Sequence, residues 1–151
     1  MGYNRILVPF DGSIPSKIAL KEAVHLAKQS KGTIFLLHVI QEIVLPPWTR
    51  RGPTNKTIKE YEKEIHDKVE ERAYKLLEEN KEKYKNSGTD IETQTLYGNT
   101  AKKILSFIRS NKIDIVVIGT TSRTGISKLI ALGSVSRKVA EQSTRPVLLV
   151  H

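Results

Sequence analysis

The chain has no cysteine among its 151 residues, which excludes disulfides, thiolate metal sites and cysteine nucleophiles. Aromatic residues make up only 6%, too few to suggest the stacking platforms that hold single-stranded nucleic acid. No stretch of 18 or more apolar residues occurs, so no membrane-spanning helix is expected. The opening MGYNRILVPF lacks the apolar region of a secretory signal and runs directly into a strand; a cytoplasmic location is the expectation. Acidic residues are in deficit, 16 against 25 lysines and arginines, for a formal net charge of +9. That excess suits a polyanionic partner such as a nucleotide, nucleic acid or an acidic membrane surface. The basic residues are spread along the chain and form no stripe, the pattern of a solvated surface, which disfavours nucleic acid as a partner.

What is present is an ordinary globular composition, 38% apolar and 27% charged, in a length that suits one domain over residues 1–151. Residues 5–10, 34–40, 115–118 and 147–150 are uninterrupted apolar runs rich in β-branched side chains. Such runs are strands buried on both faces. Residues 91–97 alternate in character and read as a half-exposed edge strand. Between the strands the apolar period changes to that of a helix.

Ser13 is placed to cap a first helix and Pro15 suits its first turn. This helix turns Ile18, Ala19, Ala23, Leu26 and Ala27 inward and stops near Lys31-Gly32 with a C-terminal glycine. Residues 41–55, with Pro46, Pro47, Trp48, Gly52 and Pro53, read as a loop in which a lid role stays open. A long charged helix from about residue 54 to 86 follows, with Ile58, Tyr61, Ile65, Val69, Ala73, Leu76 and Leu77 as its apolar stripe. A third helix starts at Gly98-Asn99-Thr100 and buries Ala101, Ile104, Leu105 and Ile108. A fourth starts at Gly133-Ser134 and presents Val135, Val139 and Ala140.

The order β-α-β-α-β-α-β-α-β predicts an α/β doubly wound, Rossmann-like sheet of five parallel strands with helices on both faces, for which the strand order 3-2-1-4-5 is the expectation. Ligands of such sheets sit beyond the strand C-termini where the order reverses, here between strands 1 and 4. Asp11 and the loop after Gly119 then flank one crevice. A glycine-bearing loop leading into a helix N-terminus favours an anion such as phosphate.

Several enzyme classes are excluded. The phosphate-loop motif GxxxxGK[ST] is absent, and the first strand is followed by Asp11-Gly12-Ser13-Ile14-Pro15 where a dinucleotide oxidoreductase needs GxGxxG. A receiver domain needs a carboxylate after the third strand, where this chain has Tyr97-Gly98. No nucleophile–base pair can be assembled. His25, His66 and His151 are scattered and suggest no metal-binding constellation, and His38 at a strand end reads as structural.

Three stretches, Ile6-Leu7-Val8-Pro9-Phe10-Asp11-Gly12-Ser13, Leu37-His38-Val39-Ile40 and residues 119–151, resemble the universal stress protein family. The most specific part is Gly133-Ser134-Val135-Ser136, a helix, and Arg145-Pro146-Val147-Leu148-Leu149-Val150. The resemblance implies a dimeric stress-response protein that binds ATP or AMP, with Mg or Mn bridging the phosphates, and at most slow ATP hydrolysis. It implies that Pro9 and Phe10 line the adenine pocket, that the Val39 backbone reads the base edge, and that Asp11 holds a ribose hydroxyl. It further implies that Ile118, Gly119, Ser122, Arg123, Gly125 and Gly133 shape the phosphate loop. Ser134, Val135 and Ser136 would offer N–H groups and hydroxyls, and strand 147–150 would pair across a homodimer.

The chain departs from the family's ATP-binding pattern of Gly, two residues, Gly, nine residues, Gly-Ser. Ser122 stands at the second glycine, ten residues precede Gly133, and Gly125 lies in a different register. A dimeric interaction protein that binds no nucleotide and a nucleic-acid binder acting through the +9 charge therefore stand as alternatives. Asp11 can also cap its own turn with Ser13, Ser134 can be a plain N-cap, and Arg123, Lys128, Arg137 and Lys138 can be solvated.

Overall fold

A computed structural model describes residues 2–42, 58–120 and 133–151. The predicted 41–55 loop, apart from Gln41 and Glu42, and residues 54–57 of the long helix lie outside the described residues. So do Ser122, Arg123, Gly125 and Lys128.

The strands are β1 (Arg5–Pro9), β2 (Thr33–Ile40), β3 (Asp90–Tyr97), β4 (Ile115–Gly119) and β5 (Val147–Val150). They form one parallel sheet in the order β3-β2-β1-β4-β5, as expected. The helices are α1 (Ile14–Ser30), α2 (Ile58–Glu82), α3 (Thr100–Ser110) and α4 (Ser134–Gln142).

Strand parity divides the core. Ile6, Val8, Ile34, Leu36, Ile115 and Val117 pack with Ala19, Leu20, Ala23, Val24 and Ala27 of α1 and Leu77 of α2. Leu7, Phe35, Leu37, Val116 and Ile118 point the other way, onto Ile104, Leu105, Phe107 and Ile108 of α3 and Val139 of α4. A strand apolar at both parities is stable only with helices on both sides, which is why these runs do not alternate.

The lower end of β1 is pinned by one carboxylate. Asp114 Oδ2 accepts the N–H groups of Asn4 at 3.0 Å and Arg5 at 2.9 Å. Its own N–H donates to Arg5 O at 2.8 Å. Arg5 donates through Nε to Asn111 O at 2.7 Å and lies over the Phe35 ring.

Three local expectations are corrected. The apolar stripe of α2 is buried only at its C-terminal half: Ala73 and Leu77 are buried, whereas Tyr61 is 38% exposed. Ile65 and Val69 are half-buried and line a cavity with Ile40 and Tyr97 at the ends of β2 and β3. In α4, Ala140 is exposed and Ser136 takes the inward position, its hydroxyl donating to Gly133 O at 3.0 Å. At the end of α1 the left-handed residue is Lys31, with φ 55°, and not Gly32. Gly32 is required by close approach, since a Cβ there would lie 2.4 Å from Tyr3 O.

Gly32→Ala is accordingly expected to destabilise the protein by about 1–3 kcal/mol, the range for forcing a methyl into a packed interior. An unchanged urea midpoint would show that the Tyr3 strand entry yields freely.

Candidate functional site

β1 ends at Pro9, which has no N–H to extend a ladder. Phe10 is buried and donates its N–H to Leu37 O at 2.8 Å. Asp11 then leaves the sheet, and β4 ends nearby at Gly119. The gap between these two exits is a cavity of about 360 Å³.

Of the predicted site residues, Pro9, Phe10, Asp11, Val39, Ile118, Gly119, Gly133, Ser134, Val135 and Ser136 all line this cavity. Sequence reasoning had not placed Ser13, Ser16, His38, Gln41 or Thr100 on its wall, where they lie. The signal available for them was position alone: each sits at or just beyond the end of an element that points at the crevice.

Three helix N-termini meet here, and they differ in how their first N–H groups are satisfied. In α1, Ser13 Oγ accepts the Ser16 N–H at 3.3 Å, and Pro15 brings no N–H to the first turn. In α3, Asn99 Oδ1 accepts the Lys102 N–H at 3.1 Å. In α4 the N-cap is Gly133, with φ −53° and ψ 154°, and no side chain caps it. Ser134 is thus the first residue of the helix and not its cap. Of the three, α4 is the one with no side-chain cap among the described residues, and its N-terminus borders the cavity.

Asp11 supplies the opposite character. Its Oδ1 accepts the Ser13 N–H at 2.9 Å, so the turn-capping role is real. The residue is nevertheless exposed and on the cavity wall. Partial burial pushes its carboxyl upward, but hydrogen bonds from the Ser13 hydroxyl and N–H and from the Ser16 hydroxyl outweigh this and hold it below the usual carboxylate value.

Gly119 has a packing reason that the loop reading did not anticipate. A Cβ there would fall 2.4 Å from the Pro15 carbonyl carbon. The glycine lets the end of β4 abut the first turn of α1 and closes the floor of the cavity.

Elsewhere, a cavity of about 330 Å³ lies between the N-terminal half of α2 and the ends of β2 and β3, lined by Ile40, Ile65, Val69 and Tyr97 among others. The Tyr97 ring stacks on His66, centroids 4.8 Å apart. On the same exposed helix face His66, Asp67 and Glu70 bring their ligand atoms within 4.8 Å of one another. This grouping was not expected from the sequence, and exposed acidic groups on a charged helix are ordinary. The remaining histidines are accounted for by local partners: His25 faces Glu22 at 3.7 Å, and His151 Nδ1 lies 2.8 Å from Thr120 Oγ1.

Comparison with known proteins agrees with this architecture. A family model described as the universal stress protein family matches residues 2–151. The chain is 36% identical over 149 residues to universal stress protein YxiE of Bacillus subtilis, covering 99% of each. The solved structure of protein MJ0577 of Methanocaldococcus jannaschii superposes with a TM-score of 0.79 at 29% identity, covering 99% of this chain and 96% of that one. A universal stress protein of Archaeoglobus fulgidus, solved in complex with dAMP, shares the fold at a TM-score of 0.66 and 20% identity, with 100% of both chains covered.

The turn around Asp11 makes a titration testable. Its carboxyl should titrate below the ~3.9 of a free aspartate, and Ser13→Ala should move it upward by removing a donor. Because the folded value is lowered, the stabilisation is present above the unfolded value and is lost as pH falls through the folded one. Carbon-detected NMR showing the same midpoint in both proteins would refute the assignment.

Proposed function

The chain belongs to the universal stress protein family, and from that premise and the crevice geometry we propose that it binds an adenine nucleotide, ATP or AMP, between β1 and β4. The observation that carries this reading is the uncapped N-terminus of α4 on one wall of the cavity with the Asp11 carboxylate on another. Phosphate oxygens suit the first-turn N–H groups of Ser134, Val135 and Ser136. The Ser136 hydroxyl is committed to Gly133 O, so its N–H is the group it offers. A ribose hydroxyl suits Asp11, whose charge its hydrogen bonds preserve. Pro9, Phe10 and Val39 provide the apolar end for the base. Ser122, Arg123 and Gly125 belong to the same proposed phosphate loop.

Among the described lining residues Asp11 offers the one carboxylate. A Mg or Mn ion would therefore be held mainly by phosphate oxygens and water, and it would supply charge neutralisation there. Among the described lining residues Asp11 Oδ1 accepts the Ser13 N–H and His38 Nδ1 contacts Phe10 O, and the proposed role is a nucleotide-responsive regulator and not an efficient enzyme. No helix of the described residues is long and apolar enough to cross a membrane. The proposal includes a cytoplasmic location.

β5 lies at the sheet edge with Leu148 39% exposed. An apolar edge of this kind favours pairing with another chain, and the proposal includes a twofold dimer through Val147–Val150.

Two measurements test this reading. Titration calorimetry with ATP or AMP and Mg or Mn should show saturable binding, weakened at least about tenfold by Gly133→Val; no heat and no thermal shift with any adenine nucleotide would reject the site. Light scattering should return twice 17.0 kDa, with Leu148→Asp shifting the protein to monomer, and a wild-type monomer at micromolar concentration would reject the dimer.

A further inference from the structure

The ladder between β1 and β2 stops one bond short, and a side chain takes the last acceptor. Phe10 donates its N–H to Leu37 O. In a regular parallel ladder the next bond returns from the N–H of Val39 to the carbonyl of Phe10. Among the described residues no backbone bond runs from Val39 to Phe10. Instead His38 Nδ1 lies 2.8 Å from Phe10 O. A carbonyl oxygen can only accept, so Nδ1 carries the proton, as it does in one neutral tautomer and in the imidazolium alike.

Alternation along β2 fixes where the Val39 peptide groups point. Leu37 O faces β1, since it accepts from Phe10; Ile40 O faces β3, since it accepts from Gly98 N–H at 2.9 Å. Residues two apart share an edge. The Val39 N–H and C=O therefore face the β1 side, beyond the point where β1 has left the sheet, and Val39 lines the crevice there.

We propose that His38 is a positioning residue for base recognition: by occupying the Phe10 carbonyl it leaves the Val39 N–H and C=O unpaired toward the crevice, as one donor and one acceptor for the edge of a purine. Adenine offers the complement, an acceptor at N1 beside the donor amine at N6. Hypoxanthine and guanine offer the reverse, a donor at N1 beside an acceptor at O6, and would set donor against donor. The discrimination then resides in backbone groups, and His38 governs it without touching the base. This inference rests on the reading of the crevice as an adenine-nucleotide site.

The test compares wild type with His38→Leu, which removes the donor, and His38→Asn, whose amide N–H sits where Nδ1 does. Amide hydrogen exchange of the nucleotide-free proteins should find Val39 poorly protected in wild type and in His38→Asn. In His38→Leu it should slow at least about tenfold as Phe10 O captures its N–H. Calorimetry should find that His38→Leu weakens AMP about tenfold and narrows the preference for AMP over IMP, while His38→Asn keeps both. Should His38→Leu fail to fold, His38→Gln, whose amide lies one bond further out, serves the same comparison.

Unchanged Val39 exchange in the donor-less variant would overturn the role of His38. So would an AMP-to-IMP ratio that stays at the wild-type value while AMP binding weakens. Absence of adenine-nucleotide binding by the wild type would overturn the nucleotide reading instead, and the exchange result would still decide what His38 does to the Val39 peptide.

Discussion

The structure depends on the position of β1. It is paired on both edges, to β2 over Arg5–Pro9 and to β4 at Ile6 and Leu7, and it is buried on both faces. A strand so enclosed can be left only past its ends. The crossovers from β1 to β2 and from β4 to β5 run to opposite sides of the sheet, and among the described residues no helix covers the gap between them at the C-terminal edge. Everything in the crevice follows from that opening. Pro9 offers no N–H on the β4 side, Phe10 makes the last bond to β2 and remains as a buried anchor, and Asp11 is the first residue to turn a charge toward solvent.

The helix ends around the opening then divide their duties. α1 and α3 each have one first-turn N–H capped, by Ser13 and by Asn99, which fixes their entry. α4 begins at a glycine that caps nothing, which leaves it the electropositive wall. Gly119, by allowing β4 against Pro15, brings the α1 and α4 sides of the sheet into one cavity.

Much of this was legible in the sequence, and the reasons differ by residue. The apolar runs at 6–8, 34–37 and 115–118 announce strands buried on both sides because they are apolar at every position yet too short for a buried helix. The strand order was an expectation for a doubly wound sheet, since the alternation of strands and helices does not by itself separate it from other doubly wound orders. The failures come from reading polarity as location. Ser136 was passed over as polar although a small hydroxyl satisfied by Gly133 O buries readily, and Ala140 was put inward although it faces solvent. The period of Tyr61, Ile65 and Val69 is true helix period, but a stripe does not say how far the sheet beneath it extends. His38 read as structural, and its hydrogen bond to Phe10 O fits that reading; the bond itself could not be read from the sequence, because it depends on where the neighbouring strand ends.

The carboxylate of Asp114 has a consequence in the order of assembly. It closes a contact with Asn4 and Arg5 across a sequence separation of 110 and 109 residues. β1, α1 and β2 can associate as soon as the first forty residues exist, but the opposite edge of β1 has no partner until β4 has been synthesised. Closing so long a loop costs only slightly more than closing a short one, since the entropy grows with the logarithm of length. The cost is therefore one of time: during translation β1 keeps one open edge until β4 has been made, and a strand made early is among the last to be completed.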